Sequence, residues 1–453
     1  MEGFLKLRGG RTTTAVLILT LIAAPAAALR VFCVGGACDE SSAAGPSIPF
    51  CSLPEPVRRG ITAGFYEGRS PDILAVTRSG VVVRGRDGGS WPSLSDAPGE
   101  VPVVFWGHGV DPDTALPDDM ELRDVAPTIA TLIGLERPHP EVRSGLAVAD
   151  IATGEMPRLV IEVVWKGGAG DLEAALSEGG AGTGGALRRF VSEGATTLYA
   201  GTGSLPADPA ALLTTLGTGG HPAQHGITGS VFRDQSGQLV LMDGSPPSSV
   251  IATLADDLDE VLNGQPVIGL VTTAGSDAGI IGGDWYLEGD KDITVSLAGK
   301  GAERRAPRIL QRVMERGFGR DTTPDLLVVI VEGELSDVER AVDEIYASGE
   351  RVTGGEVAIV VTATPSESET EGVSVGEMLR GLDGTGPGDA PPIRDMVAAS
   401  VPGGLFLDRD RMASAGLATK DVVAAVRELR SPAGTPLFAD VFPQIAVAFG
   451  EYC

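Results

Sequence analysis

Short, continuously apolar runs separated by helix-like segments constrain this chain more than any other feature of its sequence. Runs that are apolar throughout are typical of strands buried on both faces of a parallel sheet. The predicted strands are Val101–Trp106, Leu159–Val164, Thr196–Ala200, Val267–Thr272, Leu326–Val331, Val357–Thr362 and Gly403–Leu407. Predicted helices cover Met120–Leu135, a segment from Asp171, Leu187–Gly194, Val250–Leu262, Val338–Ser348 and Thr419–Leu429. We therefore predict an α/β fold, with a mostly parallel central sheet and helices on both faces.

Length and charge limit the class of protein further. A chain of 453 residues with 43% hydrophobic content can bury a large core. Its formal net charge of −26 at pH 7 would repel nucleic acids and anionic membrane surfaces, and this excludes both as partners. Such a charge suits a protein that stays soluble after export.

The N-terminus has the three parts of a secretory signal. Lys6, Arg8 and Arg11 are followed by the short apolar run Ala15–Ala24 and by the small residues 26–28. We predict a cleaved signal peptide over residues 1–28, export of the mature protein and no transmembrane span after cleavage. An uncleaved anchor is the alternative, although the run is shorter than the roughly 20 residues that cross a bilayer.

All four cysteines, Cys33, Cys38, Cys51 and Cys453, follow that signal. An even number in an exported chain indicates two disulfides, and four cysteines allow three pairings. The close spacing of Cys33 and Cys38 suits a local loop, which leaves Cys51 to pair with Cys453. Free thiols or a metal site are the other interpretations. Residues 29–56 are predicted to be a cysteine-containing extended arm, because 43–56 is rich in serine, proline and glycine.

The segment Ala210–Ile227 predicts a short helix that is broken by glycine and proline. It resembles the pattern ATLLTG-x-x-P-x-x-HGI, which follows the nucleophile in the alkaline phosphatase superfamily, in the branch of type I phosphodiesterases and nucleotide pyrophosphatases. The matching residues are Thr215, Leu216, Thr218, Gly219, Pro222, His225, Gly226 and Ile227.

Residues 57–150 resemble the C-terminal part of that family. A strand-like segment at Asp72–Val83 contains D-I-L, Val101–Trp106 resembles VPLIFWG, and Met120–Leu135 resembles DIAPTLAxLLGI. After a linker at Gly154–Pro157, residues 158–453 resemble the family's N-terminal and central part. The resemblance implies a circular permutation in which both segments form one domain, with Cys51–Cys453 joining its new ends. The alternative is a leftover half-domain at 57–150 followed by a separate fold.

The family resemblance implies two divalent metals that flank a displacement at phosphorus, yet the chain departs from the family at every metal motif. Lys166-Gly167 stands where the family has Asp-Gly, and a protonated lysine cannot coordinate a metal. At the nucleophile, the stretch Ser204–Leu213 places Pro209 near the expected position, which leaves Ser204 and Thr202 as candidate catalytic hydroxyls.

The other three metal motifs are also degenerate. Residues Glu332–Asp337 stand where the family has G-L-D-x-x-G-H, Thr362–Ser366 replaces T-A-D-H-G, and Asp87–Ser90 replaces T-H-G-S. The chain has four histidines, at His108, His139, His221 and His225. We expect each of them to have a structural role rather than to bind a metal.

Two functions follow from these observations. The first is an exported domain that has lost its two-metal site and acts as a non-catalytic binding or envelope-assembly protein, with no cofactor and with Lys166 replacing a metal. Its partner would be a cell-envelope protein or a small phosphorylated ligand.

The alternative is an active metal-dependent phosphodiesterase or phosphatase that uses zinc, magnesium or calcium. Its candidate metal ligands are Asp87, Asp208, Glu332, Glu334 and Asp337, whose oxygens suit Mg²⁺ or Ca²⁺. The same residues also fit a solvated acidic rim. An ion pair between Lys166 and Glu332 or Glu334 would favour the first function.

Overall fold

The computed structural model describes residues 48–85, 89–96, 98–177, 185–241, 249–283, 285–286, 292–297, 302–366, 372–384 and 390–453. The predicted signal peptide, Cys33 and Cys38 lie outside the described residues. Residues 47–453 form one compact unit. No helix in the described part of the chain combines the length and the apolar character needed to cross a membrane.

Strands occur throughout this unit. They are β1 (Ile73–Thr77), β2 (Val83–Arg84), β3 (Glu100–Gly107), β4 (Leu159–Trp165), β5 (Ala195–Gly201), β6 (Val231–Arg233), β7 (Leu239–Leu241), β8 (Ile268–Thr272), β9 (Ile293–Ser296), β10 (Asp325–Val331), β11 (Val357–Ala363), β12 (Val373–Ser374), β13 (Val397–Val401), β14 (Gly404–Leu407) and β15 (Phe438–Pro443).

Helices connect the strands. The α-helices are α1 (Glu55–Ala63), α2 (Val125–Leu132), α3 (Ala169–Leu176), α4 (Gly185–Glu193), α5 (Pro209–Thr218), α6 (Pro222–His225), α7 (Leu254–Val261), α8 (Ala302–Met314), α9 (Leu335–Thr353), α10 (Val375–Arg380), α11 (Arg409–Ala415), α12 (Thr419–Arg427) and α13 (Gln444–Ala448). Short 3₁₀ helices lie at Phe50–Ser52, Leu122–Asp124, Pro140–Val142, Gly275–Ile280, Ile393–Met396 and Gly450–Tyr452.

Seven strands form the central sheet, in the order β5-β3-β11-β4-β10-β8-β9. The pairs from β11 to β9 are all parallel, and β3 runs antiparallel to both of its neighbours. Every residue of β4, β10 and β11 is buried, so both faces of the sheet are covered. The predicted α/β fold with a mostly parallel sheet is confirmed.

A second sheet was not predicted. Its order is β13-β14-β1-β15, and its neighbouring strands are antiparallel. Strand β1 lies between β14 and β15, which come more than 320 residues later in the chain. Residues 57–150 therefore supply β1 to this sheet and β3 to the central one. The two sheets have separate cores, because one face of β1, β14 and β15 packs in a cluster of its own. On the other face, Leu74, Val76 and Phe442 pack in a further cluster.

The two ends of the described chain share a third apolar cluster. Phe50, Leu53 and Val57 pack there against Phe442 and Val447, and the rings of Phe50 and Phe442 lie 5.3 Å apart. A disulfide joins Cys51 to Cys453 across 402 residues. The part of the expected extended arm that the structure describes is instead packed. A 3₁₀ helix occupies Phe50–Ser52, and helix α1 begins at Glu55 with a proline in its first turn.

Candidate functional site

A cleft of about 1500 Å³ opens at the carboxyl ends of the central strands. Three of its walls are the segments that follow β4, β10 and β11, at residues 165–167, 332–334 and 365–366. Other parts of the lining come from residues 80–84, 89–96 and 99, from 170–171 in α3, and from 205–209, which end at the first residue of helix α5. Ligands of α/β proteins bind at this edge of the sheet, because the loops that follow parallel strands meet there. We call this space the cleft.

Lys166 follows β4 and extends its ammonium group between two carboxylates. Its Nζ lies 2.6 Å from Glu332 Oε1 and 3.2 and 3.3 Å from the two oxygens of Asp277. It also donates to Thr273 Oγ1 over 3.4 Å. Burial disfavours the charged ammonium, but the two carboxylates outweigh it and raise the pKa of Lys166. Lys166 is therefore a fully partnered cation.

Asp277 was missed by the sequence analysis. It lies on the 3₁₀ helix after β8, and its side chain is 2% exposed. Its carboxylate also accepts hydrogen bonds from the Thr272 hydroxyl and from the Ala274 amide. The signal in the sequence was an aspartate five residues beyond a predicted core strand. No family motif marks that position, and only the pairing of β8 beside β10 brings it to Lys166.

The acidic residues of the segment Glu332–Asp337, which follows β10, lie in different environments. Glu332 accepts from Lys166 and from Thr273 Oγ1. Burial alone would raise its pKa, but these hydrogen bonds and the charge of Lys166 lower the pKa of Glu332 below its ordinary value. Glu334 lines the cleft and is exposed. Asp337 lies in the first turn of α9, where it pairs with Arg340 at 2.8 Å.

The remaining candidate metal ligands do not join this group. Asp87 lies outside the described residues. Asp208 caps α5, and its carboxylate accepts from the amides of Ala210 and Ser230 at 2.9 and 3.1 Å. Burial raises the pKa of Asp208, although these hydrogen bonds oppose the shift. Its oxygens are thus used locally, in holding the start of the helix to residues 229–230.

The candidate catalytic hydroxyls lie beneath the cleft wall. Thr202 and Ser204 are completely buried, and neither hydroxyl has a hydrogen-bond partner within the part of the chain that the structure describes. Pro209 lines the cleft as the first residue of α5, at the position that the sequence places near the nucleophile. A proline carries no nucleophile there.

His225 has a structural role. Its Nδ1 accepts from the Ile227 amide at 3.1 Å, so its Nε2 carries the proton and donates to Thr215 Oγ1 at 3.1 Å. Burial holds the pKa of His225 well below its ordinary range, and the ring is neutral. The hydrogen bond joins α5 to α6.

The other three histidines lie apart from the Lys166 group. His221 pairs with Glu121 at 3.2 Å, His108 lies 4.0 Å from Glu155, and His139 is exposed beside Glu141. Across the described ranges, no group of three or more histidine, cysteine, aspartate or glutamate side chains is arranged to hold a metal ion.

The strand ends do not suit a two-metal centre. Zinc requires neutral histidine or anionic ligands, and the space between Asp277 and Glu332 holds the Lys166 ammonium instead. That cation would repel a metal ion at the same place. The arrangement can satisfy two carboxylates without a metal, and it leaves Glu334 facing the cleft.

The charges that line the cleft are mainly negative. Asp96, Asp171, Glu332 and Glu334 line it together with Arg84 and Lys166. Four carboxylates against two cations leave the net charge of the lining negative. The cleft therefore favours cationic groups over phosphate.

Comparisons with known proteins give few matches. No protein-family model matches the chain, and no curated protein shows significant similarity to it. Among solved structures, the crystal structure of wild-type alkaline phosphatase PafA is similar, with 15% sequence identity and a TM-score of 0.44. The similarity covers 61% of this chain and 77% of that one. A likeness this distant leaves the site to be interpreted from its own residues.

Proposed function

We propose that this protein is an exported, non-catalytic relative of the alkaline phosphatase superfamily, of the type I phosphodiesterase and nucleotide pyrophosphatase branch. It works by binding in the cleft or by envelope assembly. One observation carries the proposal: the Lys166 ammonium lies between Asp277 and Glu332, in the place where the resembling family has a metal ligand. This intramolecular cation offsets part of the charge of both carboxylates without a metal ion.

The proposal includes the circular permutation. Residues 57–150 and 158–453 pair strand to strand in both sheets, with β3 against β11 and β1 against β14. The chain ends meet at the Cys51–Cys453 disulfide, as expected of ends that were once consecutive. Permutation is tolerated when the original termini lie close together. These contacts support one permuted domain over a half-domain followed by a separate fold.

The proposed ligand is a basic segment of a cell-envelope protein rather than a small phosphorylated molecule. Asp96, Asp171 and Glu334 line the cleft beside Arg84 and the Lys166–Glu332 pair, so the lining keeps a negative net charge that disfavours a phosphate group. Charge complementarity of this kind sets specificity and the association rate. A volume of about 1500 Å³ also exceeds the range of roughly 300–1,000 Å³ that is usual for small-molecule sites.

The test is the metal content of the mature protein. After dialysis against trace zinc, magnesium and calcium, elemental mass spectrometry is expected to find well below one metal per chain. Hydrolysis of a chromogenic phosphodiester should not exceed that of a buffer blank.

One or two tightly bound metals per chain, together with metal-dependent hydrolysis, would contradict the proposal and support the active hydrolase. In that case Glu332→Gln and Glu334→Gln should each reduce the metal content. Asp337→Asn is the matched control, because Asp337 pairs with Arg340 on α9.

A further inference from the structure

One wall of the cleft packs against the cluster that holds the two chain ends. Leu205 lines the cleft, is 6% exposed, and packs with Val57 and Ile61 of helix α1. Its amide donates to the carbonyl of Gly60 at 2.8 Å. The wall is thus attached to α1 by both its side chain and its backbone.

The contact between α1 and this wall has no free space. A Cβ atom at Gly64 would lie 2.1 Å from the carbonyl oxygen of Leu205. One at Gly60 would lie 2.9 Å from Leu205 Cγ. Only glycine permits backbones to approach this closely. A displacement of α1 must therefore displace Leu205.

Helix α1 is held in turn by the disulfide. The Arg58 side chain of α1 donates to the Cys51 carbonyl at 3.1 Å. The helix also packs against α13 and against the 3₁₀ helix Gly450–Tyr452, which ends beside Cys453. The 3₁₀ helix is seated on Phe50, since a Cβ atom at Gly450 would lie 2.4 Å from its ring. These contacts join Cys51–Cys453 to the cleft wall through one helix.

Both cysteines of this disulfide are exposed, so a reductant can reach the sulfur atoms. A dithiol attacks one sulfur as its thiolate and forms a mixed disulfide, which its second thiol then resolves. The products are the Cys51 and Cys453 thiols and the oxidised, cyclic form of the dithiol. No other reactant is needed.

We propose that the Cys51–Cys453 disulfide is a redox-sensitive brace for the cleft, and that its reduction by a dithiol releases α1 and opens the wall at residues 203–209. The central sheet keeps its structure, because its apolar cluster is separate from that of the chain ends. Opening exposes the hydroxyls of Thr202 and Ser204 to water, and this favours the open state because they have no partner among the described residues.

The inference concerns regulation of the cleft named in the proposed function, but its test uses no ligand and no metal. A negative result for the disulfide would therefore not affect the proposed function, and a negative result for the proposed function would not affect the inference about the disulfide. The experiment is hydrogen exchange with mass spectrometry on the mature chain carrying Cys33→Ser and Cys38→Ser, so that Cys51–Cys453 is the sole disulfide. Samples are compared oxidised, reduced with a dithiol, and reoxidised, and alkylation confirms each state.

On reduction, the amides of residues 55–63 and 203–209 should exchange at least tenfold faster, while those of β10 stay unchanged. Reoxidation should restore the slow exchange. Unchanged exchange at 203–209 after complete reduction would overturn the proposal. So would faster exchange in β10, since the disulfide would then support the whole fold rather than one wall. Ser52→Ala, an exposed substitution beside Cys51, is the control for local sequence change.

Discussion

Two regions of the molecule match the pattern of the same family to different degrees. Segment 209–227 matches the family pattern closely, and its side chains hold helices together: His225 donates to Thr215, and Gly217 lies against the carbonyl of Ile280. The strand ends around the cleft match poorly, and the Lys166 ammonium lies there between Asp277 and Glu332. The difference teaches that the residues of segment 209–227 are needed for the packing of α5 and α6, whatever the chemistry of the cleft beside them.

The largest loss of stability is expected from a substitution within segment 209–227, which resembles the family. A Cβ atom at Gly217 would lie 1.9 Å from the carbonyl oxygen of Ile280, which is backbone and cannot move away easily. We expect Gly217→Ala to lower the free energy of unfolding by about 4 kcal/mol. Urea unfolding measures the loss. Gly376→Ala, in a helix where the nearest neighbouring atom is 4.0 Å away, is the control and should not lower the stability.

At the strand ends, Lys166→Met removes the cation and leaves Asp277 buried without its charge partner. The loss should be about 3 kcal/mol, because an unpaired buried carboxylate is costly. Chemical unfolding at neutral pH checks this, with Lys420→Met at an exposed position as the control. The double substitution Lys166→Met/Asp277→Leu should recover most of the loss. If it does not, Lys166 contributes through contacts other than the ion pair.

Glu162 gives a contrast to Lys166, since it is buried within β4 and its Oε1 has no partner in the described part of the chain. Burial raises the pKa of Glu162 to about 8. The folded state therefore keeps a proton that the unfolded state releases above its ordinary pKa of 4.5, so stability falls as pH rises between these two values. Relative to Glu162→Gln, the wild type should lose about 2.5 kcal/mol between about pH 5 and pH 7. Parallel pH dependence of the two proteins would contradict the assignment.

The smallest expected loss of stability concerns the hydrogen bond between His225 and Thr215, which joins α5 to α6. Thr215→Val removes the acceptor of the His225 Nε2 proton and leaves that donor unsatisfied and buried. Stability should fall by about 1.5 kcal/mol. Thr131→Val, on the exposed side of α2, is the control. A loss at Thr215 no larger than at Thr131 would mean that the histidine gains no stabilisation from this hydrogen bond.

Much of the central sheet could be predicted from the sequence, because runs such as Leu326–Val331 are apolar at every position and fit a strand buried on both faces. The second sheet could not, since β1 pairs with β14 and β15 far along the chain and nothing local specifies that pairing. Helix α1 had a usable signal, the proline at Pro56, within a segment that its proline and serine content made resemble an extended arm.

The site was predictable only in part. The sequence singled out Lys166, and it offered Glu332 as one of two alternative partners, which is the one that the structure shows. The other carboxylate, Asp277, comes from the loop after β8, and its approach depends on the order of strands in the sheet. Burial of Thr202 and Ser204 likewise follows from how the wall packs on α1, which their neighbouring residues do not reveal.

The Cys51–Cys453 bond turns the folded chain into a covalent ring. A protease that cuts once within any surface loop would open the ring without releasing a fragment, because the two pieces stay joined through sulfur. Nicked protein should thus migrate as one species on a non-reducing gel and separate into two on a reducing one.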